Sequence, residues 1–144
     1  MSSLFHVLVV ESSPADAFLI AEGLKQAGMR DGLMTMEDSR KALDYLEKGN
    51  LPDLVILDLN LAPMSGFQLL SKIRSSPTLS ALPVMIMSGS EDSRDVRKAY
   101  ELRANCYIVK PGNLQQFLRS MRIWYEYWST VARLPPKISR ETEV

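Results

Sequence analysis

Five short apolar runs, separated by longer segments of helical period, organise the chain: Phe5–Val10, Gly32–Met36, Leu54–Leu57, Val84–Met87 and Cys106–Val109. A strand–helix alternation repeated five times predicts an α/β fold with a mostly parallel sheet. Leu54-Val55-Ile56-Leu57 is continuously apolar and β-rich, as a strand buried on both faces reads, so it is expected at the centre. Gly32–Met36 is only partly apolar and reads as an edge strand.

Punctuation between the runs predicts the helices. Ser13-Pro14-Ala15-Asp16 offers a capping hydroxyl, a first-turn proline and an acid, and the helix it opens carries Ala17, Phe18, Ala21 and Leu24 as its apolar face up to Gly28. Ser39 is read as the cap of a second helix bearing Ala42, Leu43 and Leu46 and ending at Gly49. Gly66, Phe67, Leu70 and Ile73 mark a third, closed by Ser75-Ser76-Pro77, and Val96, Ala99, Tyr100 and Leu102 a fourth. The fifth starts at Asn113 with Gln116 as capping-box partner and presents Leu114, Phe117, Leu118, Met121, Trp124, Tyr125 and Trp128. Leu134-Pro135-Pro136 ends helical structure, and the polar stretch to Val144 reads as a mobile tail.

Composition narrows the function classes. The 144 residues suit one domain, and 46% hydrophobic with 24% charged residues is the make-up of a globular protein, not a disordered one. Seventeen basic residues balance seventeen acidic ones, so no global field draws the chain to DNA. The mild basic bias of Arg119, Arg122, Arg133, Lys137 and Arg140 reads as a solvated face. The lone cysteine, Cys106, reads as a small core residue that can form neither an internal disulfide nor a Cys-rich zinc site. The N-terminal apolar run is broken at Glu11, too early for a signal sequence or a membrane span, so a cytoplasmic protein without membrane attachment is expected.

Ligands of an open parallel sheet sit at the carboxyl ends of its strands. There the chain places Glu11-Ser12, Asp58, Ser88 and Lys110-Pro111: two carboxylates, a hydroxyl and an ammonium. A carboxylate after a buried strand costs desolvation unless a cation pairs with it, so Asp58 calls for Lys110, a metal, or both. Hard oxygen donors suit Mg²⁺, which commonly keeps phosphate oxygens in its shell, and the edge therefore reads as a phosphoryl site. His6, with no second ligand in motif spacing, reads as an ordinary strand residue.

Val7-Leu8-Val9-Val10-Glu11, Asp53-Leu54-Val55-Ile56-Leu57-Asp58-Leu59-Asn60, Pro63-Met64-Ser65-Gly66, Met87-Ser88-Gly89 and Lys110-Pro111, in this order and spacing, resemble the receiver domains of two-component response regulators. The resemblance implies a five-stranded parallel, flavodoxin-like doubly wound (βα)5 fold with strand order 2-1-3-4-5. It implies a receiver domain over residues 1–129 and a C-terminal extension over 130–144. It makes Asp58 the phosphoacceptor for a histidine kinase, with Lys110 and Ser88 holding phosphoryl oxygens and Mg²⁺ held by Glu11, Asp58 and the backbone carbonyl of Asn60. Tyr107 falls at the aromatic switch position, and the output would be a changed surface around the fourth helix, fifth strand and fifth helix. Such a chain is a phosphoacceptor signalling protein and not an enzyme with turnover.

Ala104-Asn105-Cys106-Tyr107-Ile108-Val109-Lys110-Pro111, with Trp124, Trp128 and Leu134-Pro135-Pro136, further resembles the small regulators that partner phytochrome-type histidine kinases. That implies a homodimer through the last helix, with Trp124, Tyr125 and Trp128 at the interface, and an unidentified downstream protein. Two features depart from the family pattern. Ala62-Pro63 sets the loop proline one position late, which leaves Asn60's carbonyl in place, and Ser12 stands where a second acid is usual. A serine oxygen gives little direct charge compensation but can hold a metal-bound water, as can Asp16 one helical turn on, so weakened Mg²⁺ affinity is expected.

The rival reading is therefore a receiver-fold binding scaffold in which Ser12 impairs phosphorylation. A flavin or nucleotide protein, or a phosphatase, lacks its motifs: there is no G-x-x-x-x-G-K-[ST], no G-x-G-x-x-G, and Asp58-Leu59-Asn60 lacks a second aspartate.

Overall fold

The computed structural model describes residues 5–137. Five parallel strands, β1 (Val7–Val10), β2 (Leu33–Met36), β3 (Leu54–Leu57), β4 (Val84–Ser88) and β5 (Cys106–Val109), form one sheet in the order β2-β1-β3-β4-β5, as in the flavodoxin-like doubly wound arrangement. They alternate with α1 (Pro14–Gln26), α2 (Ser39–Glu47), α3 (Gly66–Ser75), α4 (Ser93–Glu101) and α5 (Leu114–Glu126), and a π-helical turn, Tyr127–Val131, prolongs α5.

Period-two alternation divides the strands between two cores. Leu8, Val10, Val55, Leu57, Val84 and Ile86 face one way onto α2 and α3, through residues such as Leu43, Leu46, Leu69 and Ile73, with Ala99 of α4 beside them. Val7, Val9, Leu54, Ile56, Met85 and Met87 face the other way onto Ile20 and Leu24 of α1 and Phe117, Met121 and Trp124 of α5. Every residue of β1, β3 and β4 is buried, and β2 lies at an edge, as their hydrophobicity predicts.

Four local expectations are corrected. Phe18 is 64% exposed, because α1 meets the core through Ile20, Gly23 and Leu24 and not through the Ala17–Phe18–Ala21 side. Asp38, not Ser39, caps α2, accepting from the Lys41 amide at 2.9 Å, a contribution of about 1 kcal/mol for such a cap. Tyr100 points outward, with Ala99 the buried residue of α4, and its hydroxyl accepts from the Tyr107 amide at the sheet edge. At the start of α5 the Asn113 side chain accepts from the Gln116 amide, and the reciprocal Gln116 bond is absent among the described residues.

The edge of the sheet away from the strands' carboxyl ends is tied by two charged groups. Buried Arg74 donates to the carbonyls of Ser80, Leu82 and Arg103 and to Asn105 Oδ1, joining α3 to the turns before β4 and β5. Lys137 Nζ lies 3.2 Å from Asp53 Oδ1, and Leu134 packs partly buried against the α1–α5 core, so the chain continues past the two prolines along the molecule. The tail read as mobile includes residues 138–144, which lie outside the described residues. Cys106 is half-buried, and desolvation pushes its thiol up to about 11, which makes it unreactive.

Candidate functional site

Parallel strands in this register end together, and their ends bring Glu11, Asp58, Ser88 and Lys110 to one edge. Glu11, Asp58 and Ser88 are 3%, 7% and 5% exposed, values that for two acids demand a partner. The partner is Lys110: its Nζ lies 2.7 Å from Glu11 Oε1, 2.7 Å from Asp16 Oδ2 and 3.3 Å from Asp58 Oδ2. Backbone amides complete the carboxylates, Ser13 N–H donating to Glu11 Oε2 and Leu59 N–H to Asp58 Oδ1. Glu11, Asp16, Asp58, Asn60, Ser88 and Lys110 line one open cleft.

Charge balance here follows from burial and contact. Burial pushes Glu11 above the usual carboxylate range, with the Asp58 charge adding to it, while the Lys110 ammonium and the Ser13 amide pull it down. For Lys110, burial disfavours the ammonium, but hydrogen bonds to Asp16 and Glu11 and the Asp58 charge outweigh it and raise its pKa. The ammonium is thus held in its charged form.

The loops either side of the cleft are held by bonds that periodicity does not reveal. Ser12 Oγ donates to the Asn60 carbonyl at 2.8 Å, tying the β1–α1 loop to the β3–α3 loop through the very carbonyl expected to hold the metal. Ser39, freed from capping, is fully buried; its hydroxyl donates to the Met64 carbonyl and accepts the Met64 amide, at 2.7 and 2.9 Å. With the Ser39 amide on the Ala62 carbonyl, α2 thus anchors the loop, with its cis Ala62–Pro63 peptide, that carries Asn60. Gly66 opens α3 against the backbone of Asp58: a Cβ there would stand 2.2 Å from the Asp58 carbonyl oxygen and 2.6 Å from Leu59 Cα.

Tyr107 is half-buried and its hydroxyl donates to the Ser90 carbonyl at 2.8 Å. The Ser90 amide in turn donates to Ser88 Oγ at 3.2 Å, so one loop residue joins the hydroxyl at the cleft to the tyrosine on β5. Asp16 is not directed at Asn60 or Ser12 but sits on Lys110, a placement its helical spacing did not disclose.

Two buried carboxylates, a lysine ammonium and a hydroxyl thus meet at one sheet edge, with Tyr107 joined to the hydroxyl through Ser90. Residues 7–122 match the model of the response regulator receiver domain. This chain belongs to the response regulator receiver family. The receiver is 35% identical over 136 residues to a probable methanogenesis regulatory protein, FilR2, of Methanothrix harundinacea, covering 91% of this chain and 88% of that one. It is 33% identical to response regulator Rcp1 of Synechocystis, covering 90% and 92%, and resembles the Mn²⁺-bound form of Rcp1 with a TM-score of 0.83 over 90% of this chain and 98% of that one, at 32% identity. The phosphorylated cyanobacterial phytochrome response regulator RcpA superposes with a TM-score of 0.87 at 34% identity, covering 93% of this chain and 100% of that one.

The donors of the receiver suit Mg²⁺ only in part. Glu11, Asp58 and the Asn60 carbonyl are hard oxygens, and the carbonyl keeps a second lone pair beside its bond from Ser12. Among the described residues, however, no three His, Cys, Asp or Glu side chains form a ready metal cage. Two carboxylates are enough for Mg²⁺ that completes its shell with phosphate oxygens.

Along α5, Trp124 is 5% exposed and packs into the protomer's own core, so it is not available to a partner surface; Tyr125 and Trp128 are partly buried against the same core. The large apolar side chains that do face outward are Leu114 at the start of α5 and Ile123, Tyr127 and Val131 toward its end and in the π-helical turn. Among the described residues no helix is long and apolar enough to cross a membrane.

Proposed function

We propose that this receiver accepts a phosphoryl group from a histidine kinase on Asp58 and signals through the surface of α4, β5 and α5. The observation that carries the reading is Lys110 Nζ, 3.3 Å from Asp58 Oδ2 and fixed in its charged form, beside the Ser88 hydroxyl in an open cleft. An Asp58 carboxylate oxygen attacks the phosphorus of a phosphohistidine; a P–O bond forms as the P–N bond breaks, and the imidazole leaves with that electron pair and takes up a proton. Charge spreads over the three equatorial oxygens in such a transfer, so catalysis is positioning and electrostatics. Lys110 and Ser88 supply a cation and a donor for two of those oxygens. Glu11, Asp58 and the Asn60 carbonyl would hold Mg²⁺, which neutralises charge on the transferring group.

The Ser90 link gives the signal a route: a phosphoryl oxygen that recruits Ser88 Oγ draws on the residue whose carbonyl holds Tyr107. Similarity to RcpA, a phytochrome response regulator, supports a phytochrome-type kinase as donor. The outward Ile123, Tyr127 and Val131, flanked by Trp128, support a homodimer through the last helix and its π-helical turn, with Tyr125 packed behind them.

One observation favours the second reading, a scaffold with impaired phosphorylation: Ser12 brings a hydroxyl in place of an acid and spends it on the metal's carbonyl. Intact-mass analysis after incubation with phosphoramidate, with and without Mg²⁺, separates the two. The phosphoacceptor reading expects a Mg²⁺-dependent gain of one phosphoryl group that Asp58→Asn abolishes. No adduct on the wild type, with one appearing in Ser12→Asp, would establish the scaffold instead.

A further inference from the structure

Lys110 serves three carboxylates, and they are not equivalent. The Glu11 side chain is 2% exposed and cannot be rehydrated if the ammonium leaves, whereas Asp16, on the first turn of α1, is 34% exposed at the mouth of the cleft. Asp58 Oδ2, at 3.3 Å, is the loosest of the three contacts, so the ammonium at rest is drawn toward Glu11 and Asp16. A phosphoryl group on Asp58 needs that same ammonium, and Lys110 can turn to it only by giving up a partner.

We propose that Asp16 is the exchangeable counter-ion of Lys110: a positioning residue that holds the ammonium at rest and competes with the phosphoryl group for it. Exchange at Asp16 costs little because water takes over its carboxylate, whereas water does not reach Glu11, which could give up the ammonium only to Mg²⁺. The incoming dianion outbids a single carboxylate at similar distance by charge alone. Asp16 therefore sets how readily the site accepts a phosphoryl group, while Glu11 keeps Lys110 in place in both states. The absence of an acid at position 12 makes Asp16 the only exposed carboxylate on Lys110 among the described residues.

The inference rests on the phosphoacceptor reading, and its test separates the two. Beryllofluoride, a phosphoryl mimic that does not transfer, is titrated by calorimetry into Mg²⁺-saturated wild type, Asp16→Asn, Asp16→Glu and Glu37→Gln, and initial rates of phosphoramidate labelling are read by intact mass. Glu37 borders the neighbouring groove with Glu11 but does not contact Lys110, so it is the charge-matched control. The expected result is affinity tightened and labelling quickened roughly two- to fivefold in Asp16→Asn, the worth of a half-exposed ion pair, with Asp16→Glu restored to wild type and Glu37→Gln changing less. Equal or weaker binding by Asp16→Asn, or the same gain in Glu37→Gln, overturns the role of Asp16 while leaving the phosphoacceptor intact. A wild type that neither binds beryllofluoride nor is labelled overturns both.

Discussion

Replacing Lys110 with methionine keeps an unbranched apolar stem of similar reach and removes the ammonium. Three contacts vanish, but they do not weigh equally. Asp16 is one-third exposed and its share is within about 1 kcal/mol, so the loss lies with Glu11 and Asp58, whose side chains are 2% and 9% exposed. Stripping the partner from a buried charge costs about 3–5 kcal/mol, a large part of a domain's stability. With a urea slope of about 2 kcal/mol/M, the midpoint at pH 7 should fall by about 2 M.

The pH dependence gives the sharper test. Burial already raises the Glu11 carboxyl, and without Lys110 pulling it down it rises further. A raised carboxyl holds a proton in the folded state that the unfolded state has released, so stability falls as pH rises through that window and returns as pH falls, by about 1.4 kcal/mol per pH unit. Lys110 itself stays charged in the folded wild type across this range, so its contribution is constant there. The gap between wild type and Lys110→Met should therefore narrow from pH 7 to pH 5, followed by tryptophan fluorescence during urea unfolding. Equal midpoints at pH 7, or a gap that widens on acidification, would refute the buried-pair account.

Two further outcomes are expected. Gly66→Ala drives a Cβ into the Asp58–Leu59 backbone, and backbone cannot give way as a side-chain tip does; a loss of more than about 2 kcal/mol in chemical unfolding and slower phosphoramidate labelling should come together, and unfolding without slowed labelling would detach Gly66 from the site. Tyr127→Glu places a charge in the outward face of the last helix, and light scattering should show a monomer for it and the proposed dimer for the wild type; a wild type that stays monomeric at high concentration ends that proposal.

The strands were readable because a parallel sheet covered on both faces needs unbroken apolar runs, and Leu54–Leu57 could be nothing else at the centre. The site edge was readable for a related reason: acids and a lysine directly after such runs are too costly to be accidental. What escaped were contacts made by residues with no hydrophobic signature. Gly23, not Phe18, marks where α1 meets α5, since a Cβ there would lie 2.7 Å from Met121 Cγ, and a missing side chain leaves no trace in a periodicity. Ser39 looked like a cap because Ser follows the capping pattern, but Asp38 took that role and released its hydroxyl for Met64, a partner 25 positions away. Asp16 was legible as a helix-start acid, and only the folded arrangement of β5 shows which cation it meets.

The bond between Lys110 and Glu11 spans 99 positions, and that between Lys110 and Asp58 spans 52. A chain made from its N-terminus exposes Asp58 long before the lysine that pairs with it exists. Until the fifth strand has docked, Asp58 is a carboxylate without its cation. If the proposed phosphotransfer holds, the cleft is also a certificate of completed folding, issued last: nascent, truncated or partly opened copies should drop out of the phosphate pool with no dedicated surveillance, and the strength of the signal should count finished molecules alone.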